Sequence, residues 1–244
     1  MALSSPSSIA TGDLIFVAPP LSRSDPLDRA ILAVGAATLD WLREHSLPTH
    51  SNATATHVAI AWRNASGGLH LLQATPPAVT LTPADAFWRD VPSGTHFYHA
   101  TLTSPPMRRA RGAAVAAALA QRGKPYSSSF APPPAAFYCS SLVDFAFHEA
   151  TGVAHPFTPV PFTLLFVPQE FWREYYARLN VSVPWNATGT NPTLLLHSPA
   201  VSFTRLDDEA LGARAAWGRA SAQAARSVHW QDFGASPLAS TSEA

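Results

Sequence analysis

Two strand-like runs close together in the chain constrain the fold more than any other feature. Residues 56–62 and 69–74 are rich in apolar and β-branched side chains, and the six residues RNASGG separate them. Small residues and glycines in such a loop tolerate positive backbone angles. The two runs therefore predict a β-hairpin, and with it an antiparallel sheet.

The register of this hairpin decides whether two polar side chains meet. If Ala61 faces Leu69, the ladder also pairs His57 with Gln73, because antiparallel partners keep a constant index sum. A shift of one residue would send the two side chains to opposite faces of the sheet. The expected pairing makes the imidazole and the amide neighbours.

Helix and strand signals follow one another on both sides of the hairpin. Proline and glycine mark most of the boundaries. The pattern predicts strands at 13–17 and 96–102, helices at 26–44, 108–122 and 168–179, a short helix from 82 to 88, and an extended segment at 183–203.

The composition is that of a folded domain with two appendages. Apolar residues make up 47% of the 244 residues and charged residues 13%, which is enough apolar material for a core. We expect a flexible N-terminus at 1–11, one domain at 12–203, and a helical or mobile tail at 204–244, with a possible helix at 207–225.

Charge and cysteine content exclude several function classes. Lys plus Arg equals Asp plus Glu at 16 each, so no net field recruits nucleic acid or an anionic membrane. No secretory signal and no transmembrane run are recognisable, which favours a soluble, cytoplasmic protein. The single cysteine, Cys139, permits neither an intramolecular disulfide nor a multi-thiolate zinc site. No metal or cofactor is expected, and the oligomeric state stays open.

The cysteine occupies a position that suits a nucleophile. Cys139 stands at the start of an apolar helical pattern that ends at Thr151-Gly152. Unpaired amides at a helix N-terminus lower a thiol pKa and can bind an oxyanion, with Ser140 as the nearest donor. His57 would serve as the base, and Gln73 would hold its ring.

Position alone also allows a purely structural interpretation of each of these residues. A lone cysteine on an apolar helix is more often a packing residue than a nucleophile, and a histidine at a strand start is more often structural. Gln73 at the end of a strand ordinarily solvates a hairpin, and Tyr126 and Tyr138 are ordinary packing aromatics by default.

Five short motifs favour the catalytic interpretation. In chain order they are GDLIF from Gly12, THVAI from Thr56, LQA from Leu72, GKPY from Gly123, and YCSSLV from Tyr138. Together they resemble the circularly permuted NlpC-type papain-like hydrolases of the YiiX/YaeF-like branch. The resemblance implies an α+β, permuted papain-like fold. A small antiparallel sheet would pack against the helix that bears the nucleophile, with the histidine strand first in the chain.

The resemblance also implies roles for individual residues. It makes Cys139 the nucleophile, His57 the base and Gln73 the third polar residue. Ser140, Tyr126 and Tyr138 are predicted to bind the oxyanion or the substrate.

Three positions depart from the pattern of the family. Relatives usually carry glutamate where Gln73 stands, and an amide can orient an imidazole but cannot neutralise an imidazolium. Ser127 replaces a frequent aspartate and Ser141 a common glutamate. These departures leave the substrate and the strength of the activity open.

The predicted function is that of a cysteine amidohydrolase or peptidase that forms an acyl-enzyme at Cys139. Its expected substrate is a small amide, a peptide or an acyl-lipid, bound in an apolar cleft between loops 127–134 and 155–161. A lipid acyltransferase or thioesterase on the same scaffold, and a catalytically silent binding module, are the alternatives.

Overall fold

The structure of the protein, a computed structural model, describes residues 3–4 and 6–206. The helix predicted at 207–225 lies outside the described residues. Within them, no helix is both long and apolar enough to cross a membrane.

The described chain forms strands and helices largely where the sequence predicts them. The strands are β1 (Leu3–Ser4), β2 (Leu14–Ala18), β3 (His57–Arg63), β4 (Leu69–Thr75), β5 (Ala78–Pro83), β6 (His96–Leu102) and β7 (Val201–Leu206). The helices are α1 (Pro26–Glu44), α2 (Ala84–Arg89), α3 (Pro105–Leu119), α4 (Cys139–Thr151), α5 (Gln169–Arg178) and α6 (Pro192–Leu196). Two short 3₁₀ turns lie at Pro6–Ser8 and Leu21–Arg23.

The seven strands form one sheet in the order β1-β7-β6-β2-β3-β4-β5. All neighbours pair antiparallel except β1, which runs parallel to β7. Helices cover both faces of this sheet, and the α+β class is confirmed.

The two faces of the sheet pack against different elements. One face contacts α3 and α4 through the main core, which includes Phe16, Ile60 and Leu142. The other face carries Ala59 and Phe97 and packs against α2. Because successive strand residues point to opposite faces, β3 contributes to both cores.

The hairpin register differs from the predicted one by two residues. Ala61 pairs with Leu71 instead of Leu69. His57 and Gln73 are therefore diagonal neighbours and not directly opposed. An even shift preserves the face on which each side chain lies, so the expected contact between the two survives.

Two parts of the chain were predicted incompletely. The 183–203 segment, expected to be extended, contains α6 and the start of β7. The prediction also lacked β5, which pairs with β4 from His70 to Thr75. Asn191 caps α6 by accepting a hydrogen bond from the Leu194 amide at 2.8 Å.

The segment before β2 makes specific contacts with the sheet. Ile9 is buried in the core on the α2 side. Arg63 donates hydrogen bonds to the carbonyl oxygens of Pro6 and Ile9. The division of the chain at residues 12 and 203 stays a prediction.

Candidate active site

Helix α4 begins at the cysteine itself. Ser141 closes the first turn, because its hydroxyl accepts from the Tyr138 amide at 3.0 Å and donates to the Tyr138 carbonyl at 2.9 Å. This is the reciprocal role that an acidic residue has in a capping box, so serine at this position completes the cap in another way. Gly152 ends the helix in the left-handed conformation, with φ of 70°.

The sulfur of Cys139 lies between the helix start and strand β3. The backbone amide of Val58, the residue directly after His57, donates to it, as do those of Ser140 and Cys139. Burial nevertheless raises the pKa of the thiol to about 11, and the hydrogen bonds only partly oppose this. The sequence predicted a lowered pKa; desolvation outweighs the helix terminus here.

His57 is held by the side chain of Gln73. The Nε2–H of the neutral ring donates to Gln73 Oε1 at 2.6 Å. The amide in turn donates from its Nε2 to the Thr82 hydroxyl at 3.1 Å, which fixes the side of the amide that the ring meets. In this tautomer Nδ1 keeps its lone pair, so it is the nitrogen that can accept a proton.

The imidazole is neutral at physiological pH. Burial lowers the pKa of His57 to about 4, and the hydrogen bond with Gln73 opposes this only in part. The ring of Phe87 packs near it, with 6.3 Å between the ring centroids. Cysteine and histidine therefore rest as a neutral thiol and a neutral base.

One cavity of about 480 Å³ joins these groups. Cys139, His57 and Gln73 all line it, so the sulfur and the base are reached from the same space. The opposite wall is apolar and comes from α1, α5 and the loops that precede α4 and α5; it consists of Leu27, Ile31, Val34, Phe130, Leu164, Phe166 and Trp172. No lysine or arginine of the described chain lines it.

Two loops were expected to form the cleft, and only one does. Loop 127–134 contributes Phe130, whereas no residue of 155–161 lines the cavity. The hydroxyls of Tyr175 and Tyr176 donate to the carbonyl oxygens of Ser128 and Ser129, which ties the first loop to α5.

The three auxiliary residues predicted from sequence all line the same cavity. Tyr126 is anchored by a hydrogen bond from its amide to the Pro77 carbonyl at 2.9 Å. Burial, and then the charge on Cys139, raise its pKa well above the ordinary value, so the phenol stays protonated. Ser140 is fully buried, and its hydroxyl makes no regular hydrogen bond. The hydroxyl stabilises the thiolate of Cys139 and so lowers the pKa of the thiol.

Tyr138 has a structural bond of its own. Its hydroxyl accepts a hydrogen bond from the Thr190 amide at 3.2 Å, and burial raises the pKa of the phenol. Gly189 lies directly beside it, because a Cβ there would stand 2.8 Å from the hydroxyl oxygen. The absence of a side chain at Gly189 thus lets Tyr138 reach this position.

Comparison with known proteins shows the family of the chain. Residues 8–204 match the model of a family described as a permuted papain-like amidase enzyme, YaeF/YiiX, C92 family. The chain belongs to this family. It is therefore a papain-like cysteine hydrolase in general terms, as the sequence motifs indicated. A search of curated proteins finds no significant match.

A solved structure shares the fold. It is the crystal structure of the metalloprotein YiiX from Escherichia coli O157:H7, with a TM-score of 0.59 and 20% sequence identity. The similarity covers 82% of this chain and 98% of the other.

Among the described residues of the present chain, no three His, Cys, Asp or Glu side chains come together as a set of metal ligands.

Sequence reasoning missed several polar residues of the cavity, and two of them contact each other. Asp28 and Thr56 both line it, and Thr56 donates a hydrogen bond from its hydroxyl to the Asp28 carboxylate. Asp28 is seen in the sequence only as an acidic residue in the first turn of a helix, which has a common structural explanation. Thr56 carries one signal, since it directly precedes the histidine.

Proposed function

We propose that the protein hydrolyses an amide or peptide bond through an acyl-enzyme at Cys139. The observation that carries the proposal is the hydrogen bond from His57 to Gln73. It directs the ring's proton to Nε2 and leaves Nδ1 as a base in the cavity that also holds the sulfur. A thiol and a free imidazole nitrogen at one cavity are the minimum set for nucleophilic acyl transfer.

The first step follows from the resting protonation states. Since the thiol and the ring are both neutral, His57 accepts the thiol proton as the sulfur attacks the carbonyl carbon. The carbonyl π electrons move to oxygen, and the resulting oxyanion needs donors. The amides at the start of α4 and the protonated phenol of Tyr126 are the donors that the cavity offers.

The later steps return the site to its starting state. The imidazolium of His57 gives its proton to the leaving nitrogen as the C–N bond breaks and the thioester forms. A water molecule then loses a proton to His57 and attacks the thioester carbonyl. Collapse of that intermediate releases the acid, and the sulfur leaves as thiolate and takes the proton back from His57.

Gln73 limits the rate that this site can reach. An amide orients the ring but adds no negative charge, and burial holds the pKa of His57 at about 4. The imidazolium is therefore a costly intermediate, and the reaction depends on transferring its proton quickly to the leaving group. A modest rate is expected of this site in comparison with relatives that carry glutamate.

The apolar wall of the cavity suits a hydrophobic acyl group or side chain. No lysine or arginine stands among the described lining residues, which disfavours substrates that present a phosphate or a carboxylate there. Transfer of the acyl group to an alcohol or amine, or thioester cleavage, would use the same wall and the same sulfur. Product analysis with amide and acyl-lipid substrates separates these outcomes.

Turnover by variants tests the proposal. A panel of fluorogenic amides and acyl esters identifies the best substrate, and intact-protein mass spectrometry of a trapped acyl-enzyme identifies the modified residue. We expect Cys139→Ala to abolish turnover and His57→Gln to lower kcat by at least ~100-fold, the scale of general base catalysis. His155→Gln, at an exposed histidine outside the cavity, is the matched control and keeps full activity.

Undiminished turnover of Cys139→Ala would remove the hydrolase assignment at this cavity. The absence of turnover and of acyl-enzyme with every substrate would favour the silent binding module instead. Iodoacetamide is a weak reagent for this decision, because a thiol with a pKa of about 11 reacts slowly at neutral pH even in a working enzyme.

A further inference from the structure

Within residues 6–206, two carboxyl groups line the cavity, and Asp28 is the less exposed of them. It lies in the first turn of α1, on the wall opposite the sulfur's helix. The other carboxyl, Asp90, is exposed at the end of α2. Asp28 is therefore the acidic group that a bound molecule would meet inside the cavity.

The carboxylate of Asp28 is held in place by the residue before the base. The hydroxyl of Thr56 donates to it, and Thr56 is itself buried. The amide of Thr56 donates to the Val17 carbonyl at 2.8 Å, which fixes this residue to the neighbouring strand. The acid therefore has a defined position relative to His57.

Capping of α1 does not explain this carboxylate. Asp25 is the N-cap, and its Oδ1 accepts from the Asp28 amide at 2.8 Å. The side chain of Asp28 points to Thr56 instead of back to the cap. The favourable charge at the helix start is thus already provided by Asp25.

Asp28 also lacks a cationic partner. In residues 6–206, no lysine, arginine or histidine forms an ion pair with it, and none of the first two types lines the cavity. Burial, and then the nearby charge of Asp25, raise its pKa to about 6. A half-buried carboxylate without a counter-ion gains most from a cation that a ligand brings.

The position of Tyr126 connects Asp28 to the reaction centre. The charges of Cys139 and Asp28 both reach the phenol and raise its pKa. The carboxylate and the sulfur therefore lie within electrostatic range of one side chain of the cavity wall. A group bound to Asp28 therefore occupies the same cavity as the carbonyl that the sulfur attacks.

From this arrangement we propose that Asp28 binds a protonated amine on the acyl side of the scissile bond. The preferred substrates are then aminoacyl amides or peptides with a free amine next to the bond that is cleaved and an apolar side chain. This inference rests on the proposed function for the reaction, but binding of the amine does not require turnover. Asp28 acts as a specificity-determining residue, with its carboxylate as the ion-pair acceptor.

A pair of matched fluorogenic compounds tests this assignment. L-leucine 7-amido-4-methylcoumarin carries the free amine, and its N-acetyl derivative replaces the cation by a neutral amide. We expect wild-type kcat/KM to favour the free amine by at least ~10-fold, as one ion pair worth about 1.4 kcal/mol requires. Asp28→Asn removes the preference mainly through KM and leaves the N-acetyl compound within ~2-fold of wild type.

Two further experiments separate binding of the amine by Asp28 from other causes of the preference. Asp90→Asn, at the exposed carboxylate, is the matched control and keeps the preference. Binding of both compounds to the Cys139→Ala variant, measured by calorimetry, reports recognition without chemistry. If neither compound is cleaved but that variant binds the free amine more tightly, the hydrolase proposal fails and the assignment of Asp28 stands.

The proposal is overturned in three cases. The first is equal treatment of the two compounds by wild type, and the second is an undiminished preference in Asp28→Asn. The third is the absence of binding of either compound to the Cys139→Ala variant together with the absence of cleavage by wild type.

Discussion

Replacing Gln73 by glutamate tests the central electrostatic claim about this site. The amide oxygen of Gln73 is 2.6 Å from His57 Nε2, so the substitution places a full negative charge where a neutral acceptor now stands. The Thr82 hydroxyl, which accepts from the amide, can donate to a carboxylate instead, so the side chain keeps its anchor.

The size of the effect follows from the distance. An opposite charge within about 4–6 Å shifts a pKa by roughly 1 to 3. The pKa of His57 is about 4 in the native protein, so in Gln73→Glu we expect a value of about 5 to 7. The pKa shift is smaller than the full Coulomb attraction between the two charges would give, because a buried glutamate is itself costly to ionise.

NMR titration measures this without any substrate. The ring signal of His57 is assigned by its disappearance in His57→Gln, and its pKa is compared in the native protein and in Gln73→Glu. If the neutral ring of His57 is the base, as proposed, the acid limb of the kcat/KM profile should move by the same amount. Gln73→Met is the neutral control: the pKa stays low while kcat/KM falls, because the ring loses its orientation.

An unchanged pKa of His57 in Gln73→Glu would refute the reasoning. It would mean that residue 73 does not contact the base in solution, and the diagonal pairing in the hairpin would then be wrong. A raised pKa of His57 with an unchanged acid limb of the kcat/KM profile would show that His57 is not the base in the catalytic step. The contact between His57 and residue 73 would then still stand.

Two further predictions concern stability and the cavity wall. The pKa of Asp28 is about 6 in the folded protein, against an ordinary 3.8, so the folded state favours the protonated carboxyl. The stability that this provides is fully present below pH 3.8 and is lost as pH rises through about 6. The loss amounts to about 3 kcal/mol. Denaturant unfolding from pH 3.5 to 7 should therefore show that the free energy of unfolding of Asp28→Asn exceeds that of wild type by an amount that grows across this window. Plots of the unfolding free energy against pH that run parallel for the two proteins would contradict the prediction. Gly189→Ala places a methyl group 2.8 Å from the Tyr138 hydroxyl and should destabilise the fold by ~1 to 3 kcal/mol and raise KM. Gly112→Ala, where nothing lies within 4 Å of the new Cβ, is its control and should stabilise α3 by up to ~1 kcal/mol; equal effects of the two variants would show that the Tyr138 contact carries no strain.

Local signals in the sequence were sufficient for most elements. Pro26 at the start of α1 and Gly152 after α4 are strong boundary residues, and both helices lie where the sequence predicts them. The hairpin also formed as predicted, because alternation and loop composition act over a few residues. Motifs, and not periodicity, pointed to the family of the chain and to the histidine and cysteine that line one cavity.

Contacts between distant segments decided the rest. The five residues of α6 form a helix because Asn191 caps them and α1 buries them, and nothing within so short a segment predicts this. The hairpin register depends on which residues the two cores accept, and sequence placed it two residues away from where it lies.

In the electrostatics of the site, too, local sequence determined some properties and tertiary packing determined others. Sequence alone established the order of histidine and cysteine and the position of the sulfur at a helix start, because both are properties of the chain and its local conformation. Tertiary packing reversed the expected direction of the thiol pKa, since burial depends on what surrounds the sulfur. It also brought Asp28 to the cavity, because helix α1 reaches the sulfur only through the folding of the whole domain.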